Sequence, residues 1–119
     1  MKIQKEVQAL WETKFVALGK EYTLALYPND TALSPDKGSD LGVHWKYNNE
    51  IGINAGIPFT SRDETLLHEI LHVLDDDFKL NLGHNTIYRL SSSLYGFLKG
   101  LNLWQDFPWP DKERGVALK

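Results

Sequence analysis

The sequence predicts a single α+β domain, in which a small twisted sheet of about four strands packs against two helices. Two patterns lead to this prediction. Residues 1–59 consist mainly of alternating apolar and polar stretches separated by turn residues, which is typical of β-hairpins. Residues 60–100 place apolar residues three and four positions apart, as in amphipathic helices. With 119 residues there is material for one core, so we expect one domain over residues 1–119.

The first hairpin is predicted from strands at residues 14–18 and 21–27, joined by a turn at Gly19-Lys20. Ahead of it, residues 3–11 place Ile3, Val7, Leu10 and Trp11 at helical spacing, although Val7, Ala9 and Trp11 also alternate as in a strand. We predict a short helix there and keep the strand as the alternative.

A second hairpin is predicted after an exposed loop at residues 31–40, which consists of turn-forming residues. The next strands alternate at Leu41, Val43, Trp45 and Tyr47 and, after a turn at residues 48–50, at Ile51, Ile53 and Ala55. Each of these strands should bury one face.

Two helices should follow. Ser61 and Glu64 fit a capping box, which predicts a helix from about Arg62 to Asp76 or slightly beyond. Asn85 can cap a second helix that stops at Gly100, with an apolar stripe formed by Ile87, Leu90, Leu94, Phe97 and Leu98. The aromatic and proline-containing tail, residues 101–119, should pack over the core as an extended segment, with a disordered end as the alternative.

Composition excludes several classes of function. The net charge is −3 and the basic residues are scattered, so nucleic acid is not an expected partner. No apolar run approaches the roughly 20 residues that span a bilayer, and the first residues lack the apolar centre of a signal peptide. We therefore expect a cytoplasmic protein without a membrane partner. The chain has no cysteine, so a metal ion would need His, Asp or Glu ligands.

The sequence His68-Glu69-Ile70-Leu71-His72 is the strongest functional signal. On a helix, His68 and His72 lie one turn apart and can reach the same ion. Glu69 lies at the flank of that face, where its carboxylate can contact a water molecule next to the ion. Two imidazoles with a third nitrogen or oxygen ligand suit Zn²⁺ best.

This HExxH motif, on a predicted helix after a hairpin, resembles the zincin metallopeptidases, and residues 41–100 look like the small zincin-like proteins of phages and prophages. The resemblance implies that His68 and His72 bind zinc and that Glu69 is the general base. It also implies a third ligand, which in zincins is either a histidine soon after a glycine turn or a glutamate on the next helix. The histidine soon after a glycine turn is absent. The glutamate on the next helix would lie near Ser92, where the sequence has no carboxylate.

Two residues are candidates for the third ligand. His84 follows a predicted turn, and it can approach the ion if the second helix packs antiparallel to the first and the first helix ends near Asp76. The alternative is an exposed residue just ahead of the second helix. Asp75 lies one turn beyond His72, where it can orient that imidazole from outside the ligand shell, ligate the ion itself, or be a solvated acid.

Other residues give weaker signals. His44 lies on the opposite strand face from Val43 and Trp45, where it could line a cleft, but we expect an exposed strand histidine. Tyr88 and Tyr95 are candidate oxyanion donors, although tyrosines with a packed ring and a solvated hydroxyl are the expected alternative. The adjacent acids at positions 76 and 77 are expected to be solvated.

These features predict a zinc metallopeptidase that acts on a peptide or protein substrate, in the cytoplasm of a bacterial host if the chain is phage-encoded. The alternatives are a non-catalytic zincin-fold protein that binds partners or assembles a phage particle, and a domain with a purely structural zinc ion.

Overall fold

The computed structural model of the protein describes residues 8–29 and 41–111. The chain forms four strands and then two helices. The strands are β1 (Trp11–Ala17), β2 (Lys20–Tyr27), β3 (Gly42–Trp45) and β4 (Glu50–Asn54), and the helices are α1 (Phe59–Phe78) and α2 (His84–Gly100). This confirms the predicted α+β class. Neither helix is long and apolar enough to cross a membrane.

The sheet is mixed, with the strand order β1-β2-β4-β3. Each predicted hairpin forms an antiparallel pair, and β2 joins the two hairpins by pairing in parallel with β4. The β1–β2 turn lies at Leu18 and Gly19, one residue earlier than predicted, and both have positive φ, 55° and 74°, as the type I′ turns of two-residue hairpin loops require. As a result β3 is an edge strand, and it also contacts α1.

The core lies between the sheet and α1. One face of the two central strands contributes the buried side chains of Tyr22, Leu24, Leu26, Ile51 and Ile53. On the opposite face Ala25 and Tyr27 are also buried, against Val43 and Trp45. All five residues of β4 are therefore buried, because a central strand covered on both faces exposes neither.

Two details predicted for the first half of the chain are wrong. Residues 8–10 are not helical and lead directly into β1, so tertiary pairing with β2 overrides the ambiguous helical spacing; residues 3–7 lie outside the described part. Leu41 and Tyr47 do not share the face of Val43 and Trp45. Leu41 lies before β3 and is 51% exposed, and Tyr47 lies in the turn after it and is 93% exposed. The loop predicted at residues 31–40 lies outside the described residues.

Helix α1 begins at Phe59 rather than Arg62. Pro58 precedes it with an extended backbone, and its carbonyl accepts the first helical hydrogen bond, from Arg62 N at 3.0 Å. Ser61 is therefore already inside the helix, and the predicted capping box does not form. The carboxylate of Glu64 instead accepts a hydrogen bond from the hydroxyl of Ser92, at 2.7 Å.

Helix α2 packs on α1 through a narrow stripe in which Ile87 and Ser91 are fully buried. It begins at His84, with Gly83 at the N-cap, so the predicted cap at Asn85 is wrong. Leu90 and Phe97 of the predicted apolar stripe are 40% and 72% exposed, so these two positions are not buried by the part of the chain that the structure describes.

The described part of the tail, residues 101–111, packs over the core without regular structure, as predicted. Asp63 in the first turns of α1 is 2% exposed, and its carboxylate accepts hydrogen bonds from Trp104 Nε1, Phe107 N and Trp109 Nε1 at 2.8–3.2 Å. The neighbouring Arg62 forms two hydrogen bonds of 2.9 Å with Asp111. We call these contacts the tail clasp; residues 112–119 lie outside the described part.

Candidate metal centre

His68 and His72 lie one turn apart on α1 and converge, as the helical spacing predicts. Their Nε2 atoms are 3.2 Å apart, and their ring centroids are 4.8 Å apart. The leucines at positions 66, 67 and 71 anchor the helix by burial, so this pair of imidazoles is held at a fixed position between the core and α2.

His84 joins this pair from the first position of α2. Its ring centroid lies 5.4 Å from that of His68 and 5.3 Å from that of His72. One ligand nitrogen from each of the three histidines can be chosen so that all lie within 4.8 Å of one another. Gly83 makes this approach possible, because its φ of 85° and ψ of 155° lie in a region that essentially only glycine adopts.

Asp75 organises the connector between the two helices. Its carboxylate accepts a hydrogen bond from Leu82 N at 3.1 Å, and its backbone carbonyl accepts from Lys79 N and Leu80 N. Among the described residues, the metal-ligand cluster comprises the three histidines without Asp75. Asp75 therefore contacts the segment that carries His84.

The three histidines fit a zinc ion. Tetrahedral zinc with Zn–N bonds of about 2.0–2.1 Å places its ligand nitrogens about 3.3 Å apart, and the Nε2 atoms of His68 and His72 are 3.2 Å apart. His84 is exposed, so a change of side-chain rotamer could close the remaining distance. Three imidazoles leave a fourth tetrahedral position open, which distinguishes catalytic zinc sites from structural ones.

Ser91 orients the ring of His68. This serine is 1% exposed, its hydroxyl donates to the carbonyl of Tyr88 at 3.0 Å, and its oxygen lies 3.3 Å from His68 Nδ1. Because a hydroxyl has one hydrogen, the Ser91 oxygen is left to accept a hydrogen bond from Nδ1–H. This arrangement favours the tautomer of His68 in which Nε2 carries a lone pair that points toward the other histidines.

The environment keeps the imidazoles of His68 and His72 neutral. Burial, followed by the proximity of His72 and His84, lowers the pKa of His68 to about 4. The pKa of His72 is also lowered, mainly by burial and then by His84. Neutral imidazoles are the form that binds metal ions, so the pair is ready to bind at neutral pH.

Glu69 is 5% exposed and lines a cavity of about 310 Å³ that begins at the histidines. His68, His84 and Tyr88 line the same cavity, so one of the two candidate oxyanion donors lies at the site. Tyr95 is not among the lining residues, and its ring packs edge-on against Trp104 at 5.6 Å.

His44 differs from its sequence-based prediction. Its side chain is only 7% exposed, and Nδ1 lies 3.4 Å from a carboxylate oxygen of Asp76. Burial lowers the pKa of His44, and Asp76 partly offsets that effect. The expectation of an exposed histidine is wrong because β3 lies directly beside α1.

The carboxylate of Asp77 accepts a hydrogen bond from the hydroxyl of Tyr22 at 2.9 Å.

Two residues of the site were missed in the sequence, namely Ser91, which contacts His68, and Glu64, which lines the cavity. Glu64 lies four residues before His68, so the helical spacing that pairs the histidines also places it on their face. Nothing in the local sequence distinguishes Ser91 from its two serine neighbours, because its role depends on how α2 packs.

Comparison of the chain with protein-family models, with curated proteins and with solved structures finds no match in any of the three. The features of the chain that indicate a function are therefore the histidine cluster, Glu69 and the cavity next to them.

Proposed function

We propose that this protein is a zinc-dependent peptidase of the zincin type, in which His68, His72 and His84 hold the ion and Glu69 is the general base. The observation that carries the proposal is the convergence of the three imidazoles, with two Nε2 atoms at the separation expected of tetrahedral zinc ligands.

When bound, Zn²⁺ would supply Lewis acidity at the open fourth position, where it lowers the pKa of water to about 7 and polarises a carbonyl group. Glu69 would accept a proton from the attacking water as its oxygen bonds to the carbonyl carbon. When the C–N bond breaks, the same carboxylate would deliver the proton to the leaving amine. Tyr88 lines the cavity and is a candidate donor to the carbonyl oxygen.

The edge strand β3 offers a docking position for the substrate backbone. An extended peptide can add to an exposed sheet edge through main-chain hydrogen bonds, and β3 is both an edge strand and a neighbour of α1. Gly42 at the start of β3 lines the cavity. A Cβ atom at this position would lie 2.6 Å from Thr65 Cγ2 of α1, so glycine allows β3 to approach α1 closely.

The first test is the zinc content of the purified protein, measured by elemental mass spectrometry. We expect about one zinc ion per chain in the wild type and its loss in His72→Ala and in His84→Ala. His44→Ala is the matched control, because it removes the remaining histidine of the chain, which lies outside the cluster. Absence of zinc from the wild type, even after reconstitution, would contradict the proposal.

The second test is the cleavage of a diverse peptide library, monitored by mass spectrometry. We expect the zinc-loaded wild type to cut, and Glu69→Gln to lose cutting while retaining zinc, because the amide cannot accept the proton. Cutting that survives in Glu69→Gln would exclude the assigned base.

A non-catalytic zinc-binding protein that serves binding or assembly is the second candidate. It is favoured by Ser91 and Ser92, which occupy the part of α2 where the zincin resemblance implies a glutamate ligand, and by the exposure of His84. Stoichiometric zinc without cleavage of any library peptide would select this candidate over the peptidase.

A further inference from the structure

The cavity beside the histidines extends along α1 toward the start of the helix. Its walls are the first turns of α1, the beginning of β3 and the side of α2 that carries Tyr88 and Ser91. A volume of about 310 Å³ is at the lower end of ligand-binding pockets. The cavity therefore suits one long side chain or one terminal residue, located directly beside the proposed reaction centre.

The charged groups that line this cavity are acidic. Glu64 and Glu69 line it, and no lysine or arginine of the described residues does. Arg62, the closest cation in sequence to Glu64, is 2% exposed, and its guanidinium binds Asp111 and the carbonyl of Ala55 instead. An anionic ligand group bound at Glu64 would therefore meet a like charge, and no lysine or arginine of the described residues lines the cavity to offset it.

Glu64 is held in place at one helical turn from His68. Its carboxylate accepts the hydroxyl of Ser92 at 2.7 Å, which uses one of about four acceptor positions of a carboxylate. One turn of helix is about 5.4 Å. A group bound at Glu64 would thus lie about one helical turn from the histidine cluster. This is about the distance from a cleaved peptide bond to the neighbouring side chain or to a neighbouring chain terminus.

We propose that this cavity binds a cationic nitrogen group of the peptide substrate through Glu64, next to the bond that is cleaved. The assignment rests on the proposed peptidase function for its link to cleavage, but the binding itself does not require turnover. The cation can be a lysine or arginine side chain, or the α-ammonium group of a free amino terminus. These two sources share one chemistry and differ in the specificity that they produce.

The test uses three small probes with the same skeleton, titrated into ¹⁵N-labelled protein and followed by amide chemical shifts. Nα-acetyl-lysine methylamide carries a side-chain cation, norleucine methylamide carries an α-ammonium group, and Nα-acetyl-norleucine methylamide is neutral. We expect at least one cationic probe to bind about fivefold to tenfold more tightly than the neutral probe, and the tighter one identifies the source. Equal affinities for all three would overturn the proposal.

Glu64→Gln provides the decisive variant, because glutamine keeps an acceptor for the Ser92 hydroxyl and removes the charge. We expect the preference for the cationic probe to fall below about twofold in this variant. Glu21→Gln is the matched control: it removes an exposed glutamate of β2 and should leave the preference unchanged. A preference that survives in Glu64→Gln would also overturn the proposal.

The titrations are run on zinc-loaded and on chelator-treated protein, so that coordination of the free amine by zinc is separated from binding at Glu64. Library cleavage then gives an independent measurement. Cleavage sites without enrichment of lysine, arginine or free amino termini would refute the cavity assignment and leave the peptidase proposal intact. A cation preference without any cleavage would refute the peptidase proposal and leave the binding site intact.

Discussion

Replacing Ser91 with alanine is expected to weaken zinc binding by about 10-fold to 100-fold while the chain remains folded. The Ser91 oxygen lies 3.3 Å from His68 Nδ1, and its own hydrogen is donated to the carbonyl of Tyr88. Alanine removes this acceptor and leaves the half-buried imidazole N–H unpaired. His68 can then turn its ring or change its tautomer, and either change directs Nε2 away from His72.

The magnitude follows from the cost of an unsatisfied buried donor, about 1–3 kcal/mol. Such a loss corresponds to roughly fivefold to 150-fold in a dissociation constant, which agrees with the range known for groups that orient metal-bound histidines. The dissociation constant is measured by competition with a chromogenic zinc chelator at pH 7.5. Circular dichroism of the same samples verifies that the chain is folded.

Ser93→Ala is the matched control for this experiment. Ser93 is two residues further along α2, is exposed, and donates only to the backbone carbonyls of Arg89 and Leu90. We expect its zinc affinity to match the wild type within about twofold. If Ser91→Ala and Ser93→Ala bound zinc equally well, the inferred role of Ser91 in holding the His68 ring would be refuted.

Three further predictions concern the tail clasp, the connector and pH. Asp63→Asn should lower the free energy of unfolding by about 1–3 kcal/mol in urea denaturation, because the amide cannot accept from all three N–H donors of the tail. Asp106→Asn, at an exposed ion pair, should leave the midpoint nearly unchanged, and equal effects of the two substitutions would contradict the role of the clasp. Asp75→Ala should weaken zinc binding about tenfold in the chelator assay. Asp75→Asn should retain most of the zinc affinity, because its amide oxygen can still accept from Leu82 N. Equal losses of affinity in the two variants would indicate that the carboxylate charge matters instead. In chelator-treated protein, the free energy of unfolding should fall as the pH drops from about 6.5 toward 4. The reason is that the lowered pKa of His68 makes the unfolded chain bind more protons than the folded one in this range. A pH dependence of the unfolding free energy that persists unchanged in His68→Gln would contradict this assignment.

The parts of the molecule that could be predicted from sequence are those fixed by short-range patterns. Two alternating segments separated by turn residues predicted both hairpins, and the spacing of His68 and His72 predicted that their imidazoles lie together on one helix. The class of the fold follows from the same patterns, because strands and helices are segregated along the chain. None of these inferences required knowledge of which elements are neighbours in space.

The parts that could not be predicted depend on packing between elements. His44 is buried because β3 lies against α1, and no alternation pattern contains that information. Ser91 contacts His68 only because α2 presents that position to α1, and its serine neighbours are identical in type. The capping-box pattern was misleading because Pro58 starts the helix earlier, which leaves Glu64 to contact Ser92 and line the cavity.

Helix α1 is fixed at both of its ends by contacts that serve different parts of the site. At its start, Arg62 and Asp63 bind the tail segment, and the adjacent Glu64 lines the cavity. At its other end, Asp75 holds the connector that delivers His84. Since these contacts are about three turns apart on one helix, substitutions in the tail clasp should alter the cation preference of the cavity more than zinc affinity, and substitutions at Asp75 should do the reverse. The proposed recognition of a substrate and the proposed binding of a metal ion are thus expected to be separable by mutation, although one helix carries both sets of residues.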